Sequence, residues 1–188
     1  MIIIGITGKA RCGKDTMVEE YFKRPDHPLA QRFAFADAVK HSCAAVFGEP
    51  VGKFYEHKEE ISERWGISYR EMLQKLGTEF ARDLISKDFW VNRLNEKIQS
   101  SPTSIRLGFV TDVRFNNEAN WIHSCGGAVI ELLREGVLSL EGTEAEHSSE
   151  DGISPDLIDY RIMNNTDVET LGWKLEKLLG TMELLEVV

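Results

Sequence analysis

Apolar residues along this chain fall into two alternating rhythms. Short, nearly unbroken apolar runs predict strands at 2–7, 31–35, 105–111, 127–133 and 159–163. Runs of this length, apolar on both faces, suit strands covered on both sides. Between them the apolar positions recur at helical spacing, predicting helices over 14–23, 37–47, 56–63, 69–85, 88–99, 116–124 and 167–179. Strands alternating with helices predict an α/β fold, a parallel sheet flanked by helices. The stretch from 37 to 99 holds helices and no strand. It is expected to form a helical insertion, 36–100, within one domain spanning 1–188. A polar, acidic stretch, 134–152, reads as a lid-like loop. Gln99 to Ser104, with Pro102, is linker-like, and the tail from Thr181 carries no pattern.

Composition narrows this frame without changing it. The 188 residues are 42% hydrophobic and 28% charged, the balance of a soluble globular domain with a sizeable core. No apolar run reaches the ~18 residues of a membrane helix, and no basic leader precedes the first run. The expected location is the cytoplasm, that of the host if the chain is viral. A net charge of −9 disfavours nucleic acid as a partner. A nucleotide needs only a few focused cations in a cleft. The three cysteines, Cys12, Cys43 and Cys125, are odd in number and lack CxxC spacing, against a disulfide framework or a zinc site.

The first strand runs straight into Gly8-Lys9-Ala10-Arg11-Cys12-Gly13-Lys14-Asp15-Thr16. This is the pattern of a phosphate-binding loop between strand and helix. Gly8 and Gly13 let successive N–H groups point at one phosphate. The helix that follows adds its positive end. Lys14 reaches the β- and γ-phosphates. Such loops place Ser or Thr directly after the lysine to hold Mg²⁺; here Asp15 stands there and Thr16 follows. An acid can hold Mg²⁺ but also repels phosphate, so Asp15 and Thr16 both stay candidates. Cys12 lies inside the loop as small filler or as a thiol whose modification blocks the site.

Other candidates sit near strand ends. Phe33 to Lys40 ends a strand and starts a helix, with Asp37 as a possible cap and Lys40 one turn in. Tyr69 to Arg82 is amphipathic, with Met72, Leu73, Leu76 and Phe80 on its apolar face. Arg70, Gln74 and Arg82 could line a groove, since a guanidinium grips phosphate at two points. Phe89-Trp90 could wall a base. Leu107 to Phe115 ends in Asp112, an acid at the carboxyl edge of the sheet and a third candidate for organising Mg²⁺. Arg114 follows, and Asn117 and Glu118 lie in the next turn. Asp112 as a plain helix cap is the alternative. His147 and Glu150 lack a second ligand pair. Asp167 should cap the last helix.

Together these segments resemble the deoxynucleoside monophosphate kinases of bacteriophages, a P-loop kinase family. The carrying residues are GKARCGKDT at 8–16, FAFADAVK at 33–40, YREMLQKLGTEFAR at 69–82, FWV at 89–91, TDVRFNNEA at 111–119, HSSE at 147–150 and IMNNTD at 162–167. The aspartate after the loop lysine is part of that likeness. The resemblance implies a P-loop NTPase fold with a nucleoside-monophosphate-binding helical insertion and a lid. It implies transfer of the γ-phosphoryl group of ATP, with Mg²⁺, to a deoxynucleoside monophosphate. By position it assigns Gly8, Cys12, Gly13, Lys14, Asp15 and Thr16 to the ATP phosphates, with Arg11, Lys14 and Arg114 stabilising the transferring group. Asp37, Lys40, Arg70 and Trp90 would surround the acceptor, with Arg82, Arg114 and Glu118 between the two nucleotides. Arg134 falls in the lid and Asn164 in the adenine turn. A homodimer stays open.

Two other readings fit a phosphate loop. One is a kinase acting on a phosphorylated metabolite or coenzyme precursor. The other is a nucleotide-dependent switch, which binds tightly and turns over slowly. The arginine-bearing insertion resembles a second-substrate site more than a partner surface.

Overall fold

The structure, a computed structural model, describes residues 1–25, 28–135 and 152–182. It divides into two units: Met1–Phe33 with Ser101–Val188, and Ala34–Ser100.

The first unit is built on a five-stranded parallel sheet. Its strands are β1 (Ile2–Thr7), β2 (Ala30–Phe33), β3 (Leu107–Val110), β4 (Ala128–Leu133) and β5 (Tyr160–Met163), in the order β2-β3-β1-β4-β5. Alternation along the strands sends side chains to opposite faces. Ile4, Ile6, Leu107, Phe109, Ile130, Leu132 and Ile162 point to one face. There they pack with Met17, Val18 and Tyr21 of α1 (Lys14–Phe22) and Leu171, Leu175 and Leu179 of α7 (Val168–Thr181). The other face meets α6 (Asn116–Ser124): a side chain on Gly5 would collide with Ile122. Thus β1 and β3 are neighbours whose following helices cover opposite faces. This is a topological switch point, where α/β sheets open a crevice beyond the carboxyl ends of their strands.

The second unit is helical: α2 (Phe35–Phe47), α3 (Val51–Glu56), α4 (Tyr69–Gln74), a π-helix continuing it over Lys75–Ile85, and α5 (Phe89–Gln99). Its own small core is Cys43, Phe54, Tyr69 and Met72, with Val39, Phe47, Leu73 and Leu76 against them. Gly48, at φ 67°, closes α2 in the left-handed conformation that glycine favours. Ser68 caps α4 by accepting the Glu71 N–H.

Several expectations need correction. The helix expected at 56–63 lies earlier, at Val51–Glu56, where Pro50 at the N-cap fixes the entry. Residues 57–68 are turns, with one antiparallel bridge between Ile61 and Ser68. The helix over 69–85 changes from α to π geometry at Lys75. The wider i→i+5 turn shifts the phase of the apolar stripe, leaving Phe80 50% exposed while Met72 is fully buried. Strand β2 ends at Phe33, two residues early, so Asp37 sits in the first turn of α2, whose N-cap is Ala34, and does not cap it. Asp112 does not cap α6 either; its N-cap is Phe115. Asp167 does cap the last helix, accepting the Thr170 N–H at 2.8 Å. All three cysteines are free thiols. Within the lid-like stretch, residues 136–151, with His147 and Glu150, lie outside the described residues. Among the described residues no helix is long and apolar enough to cross a membrane.

Candidate active site

The loop between β1 and α1 has the curled backbone a phosphate cradle needs. Gly8 (φ 132°) and Gly13 (φ 102°) both lie in the positive-φ region. Neither tolerates a side chain. A Cβ on Gly8 would strike the Leu132 carbonyl oxygen, and one on Gly13 would come 2.8 Å from Asn164 Nδ2. Arg11, at φ 60°, is the only non-glycine residue with positive φ among those described. That conformation costs ~1–2 kcal/mol and persists only where surroundings over-determine it. Two anchors do so here. Asn164 Nδ2 donates to the Cys12 carbonyl at 2.7 Å, tying the loop to the end of β5. Lys14 Nζ donates to the carbonyls of Gly8 at 2.7 Å and Lys9 at 2.8 Å. The Lys14 ammonium is thereby held over the loop at the positive end of α1. The Cys12 side chain points inward, 1% exposed, and burial pushes its thiol upward against the pull of Lys14.

Asp15 and Thr16 open α1. Asp15 Oδ1 accepts the Thr111 hydroxyl at 2.7 Å and Arg32 Nη1 at 3.3 Å. Arg32 Nη1 also reaches Thr111 Oγ1 at 3.2 Å. Arg32 does not stand out in the sequence as a site residue, and Thr111 does so only as the first residue of the motif at 111–119. Strand register brings them there: Arg32 pairs with Phe109, so it leaves the sheet on the α1 face, as does Thr111 two residues beyond Phe109.

Asp112 and Arg114 follow β3, at the carboxyl end of the strand beside β1. This turn is tied down twice. Val113 N–H donates to the Ile6 carbonyl, and the buried Glu118 carboxylate accepts the N–H groups of Arg114 at 2.8 Å and Phe115 at 3.1 Å. Glu118, 1% exposed, therefore acts in the structure as a helix-cap acceptor that shapes the turn carrying Arg114. Arg134 is exposed just after β4.

In the helical unit, Asp37 and Lys40 come together. Lys40 Nζ lies 3.7 Å from Asp37 Oδ1 and 3.9 Å from the centre of the Tyr55 ring, and Tyr55 Oη donates to the same Oδ1 at 3.0 Å. Tyr55 is a further residue that sequence reasoning missed. Asp37 also lines a cavity of about 500 Å³ between α2 and α5, with His41, Arg93 and Lys97. Arg93 and Lys97, four residues apart, share one face of α5. Arg70 forks onto Glu59, and Arg82 Nη1 reaches the Lys87 carbonyl at 3.4 Å. Trp90 is 3% exposed and donates its indole N–H to the Gly77 carbonyl at 2.7 Å, so it is packed inside the unit.

The residues fit a bound nucleotide phosphate: a glycine cradle that a Cβ would fill, a helix N-terminus and a lysine. They also fit Mg²⁺, since Asp15, Thr16 and Asp112 offer hard oxygen donors. Among the described residues no three His, Cys, Asp or Glu side chains cluster at metal-binding spacing. Mg²⁺ habitually takes one or two carboxylates plus phosphate oxygens.

The family pattern described as deoxynucleotide monophosphate kinase matches residues 49–175. The chain belongs to the deoxynucleotide monophosphate kinase family. The match begins well after the phosphate loop, so the loop geometry, which suits a bound phosphate, and the family pattern are separate observations. A putative deoxynucleotide monophosphate kinase of Acanthamoeba polyphaga mimivirus is 28% identical over 184 residues, 90% of this chain and 91% of that protein. The deoxynucleoside-5′-monophosphate kinase of Escherichia phage T5 is 30% identical over 115 residues, 60% of this chain and 45% of the phage enzyme. The deoxynucleotide monophosphate kinase of Escherichia phage RB69 is 29% identical over 133 residues, 70% of this chain and 52% of that protein. The matches thus span about half the length of the two phage enzymes.

Proposed function

We propose that this family member transfers the γ-phosphoryl group of ATP to the 5′-phosphate of a deoxynucleoside monophosphate, giving the diphosphate. The observation that carries the reading is the cradle of Gly8, Gly13 and Lys14 at the switch point of a chain whose residues 49–175 match the family. Gly8 to Thr16 would hold the donor phosphates. Lys14, Arg11 and Arg114 would offset charge on the transferring group. Asp37, Lys40, Arg70 and Arg82, in the helical unit, would bind the acceptor. Trp90 would support that site from within the unit, and Glu118 would hold the turn bearing Arg114. Asn164 would fix the loop from the β5 side. Mg²⁺, held through Asp15, Thr16 or Asp112, would neutralise charge on the donor phosphates.

Little covalent chemistry is asked of the protein. The acceptor is already an anionic nucleophile, so no general base is needed. The chain's task is to bring two like-charged phosphates in line, screen them with cations and keep water out.

The test is an ADP-release assay with ATP and Mg²⁺ against every ribo- and deoxyribonucleoside monophosphate. Turnover with one or more deoxynucleotides is expected. Silence across the panel from protein that still binds ATP would overturn the acceptor class and favour a phosphorylated metabolite.

A further inference from the structure

An aspartate directly after the loop lysine places a negative charge beside the site where donor phosphates would lie. Left alone it repels them and is free to rotate. Its surroundings address both problems. Asp15 Oδ1 takes two donors, the Thr111 hydroxyl and the Arg32 guanidinium, and those two also meet each other. The three groups close a triangle drawn from α1, β2 and the end of β3. No described residue donates to Oδ2 of Asp15. The triangle therefore fixes the carboxylate through one oxygen and leaves the other for a ligand.

From this geometry we infer that Arg32 is a positioning residue for Asp15: it holds the carboxylate through Oδ1 and offsets its charge next to the phosphate loop. The inference rests on the kinase reading above. Strand register explains how the residue gets there. Arg32 pairs with Phe109 on the α1 face of the sheet, and β2 ends one residue later, so the guanidinium reaches past the end of β3 toward the first turn of α1.

Exposure separates this role from a structural one. The side chain of Asp15 is 63% exposed and that of Arg32 34%. An ion pair so open to water contributes little to folding. Bound phosphate would displace that water and lower the local dielectric, which strengthens the same charges. The effect of Arg32 belongs in ligand affinity and not in the melting curve.

The experiment is a double-mutant cycle. ATP with Mg²⁺ is titrated calorimetrically into the wild-type protein, Arg32→Ala, Asp15→Asn and the double variant, and each protein is melted. Arg32→Ala should weaken ATP binding about tenfold in the native background and less than about twofold in the Asp15→Asn background. Its melting temperature should stay within about 2 °C of wild type. Equal losses in both backgrounds would mean that Arg32 meets the phosphates itself, overturning the positioning role while the kinase reading stands. A large fall in melting temperature would make Arg32 structural and overturn it too. Wild-type protein that binds no ATP would overturn the phosphate-loop reading and this inference with it.

Discussion

The two units hold their candidate groups in different ways. In the sheet unit three of them rest on backbone atoms. Lys14 rests on the carbonyls of Gly8 and Lys9, Asn164 on that of Cys12, and Glu118 on the N–H groups of Arg114 and Phe115. In the helical unit Arg70 and Lys40 rest instead on side chains of opposite charge, Glu59 and Asp37. Backbone partners cannot leave without the loop changing shape. The exposed Glu59 carboxylate can be exchanged for a phosphate at small cost, because surface ion pairs contribute only about 0–1 kcal/mol. Under the proposed function, the difference would leave the donor cradle built in advance and Arg70 in an interim pair.

Lys14→Ala tests the preformed side most severely. Its ammonium lies over the loop and away from the core, so the variant should fold while losing about 10³-fold in kcat. Near-normal turnover in a purified, folded variant would remove the loop from the chemistry.

Glu118→Ala comes next. It strips the buried carboxylate acceptor from two backbone N–H groups and should cost roughly 1–3 kcal/mol in a denaturant melt. The turn bearing Arg114 loosens with it, so kcat should fall while the KM for ATP changes little. Glu118→Gln keeps an oxygen acceptor and should recover most of both losses. Unchanged stability in the alanine variant would mean that the cap carries no strain.

The smallest stability effect is expected at the exchangeable pair. Removing Glu59 or Arg70 should move the melt by less than about 1 kcal/mol. Their kinetics should part. Arg70→Ala should raise the KM for the acceptor monophosphate, whereas Glu59→Gln, which removes the countercharge beside the guanidinium, should leave it equal or lower. The same rise in KM from both variants would mean that the pair acts as a unit in shaping the helix and that Arg70 is not an acceptor ligand.

Much of the fold was legible because its signals are local. The apolar run Ile2–Ile6, the glycines at 8 and 13 and Lys14 lie within a few residues of one another, and each strand read correctly to within two residues at its ends. The misses fall where local pattern competes with packing. A helical period reads the same through Lys75 whether the turns are α or π, and only the contacts of the unit decide, so Phe80 was placed on the wrong face. Trp90 read as a wall for a base because a sequence does not show that the Gly77 carbonyl stands ready for its indole.

By itself, the sequence determined the α/β alternation, the phosphate loop and the likeness to a kinase family, since all three rest on spacing along the chain. Tertiary structure alone decided the strand order β2-β3-β1-β4-β5 and the meeting of Asp15 with Arg32 and Thr111. Those partners lie 17 and 96 residues away along the chain. No local preference joins residues so far apart. Strand register and the burial of one sheet face under α1 bring them within hydrogen-bond reach.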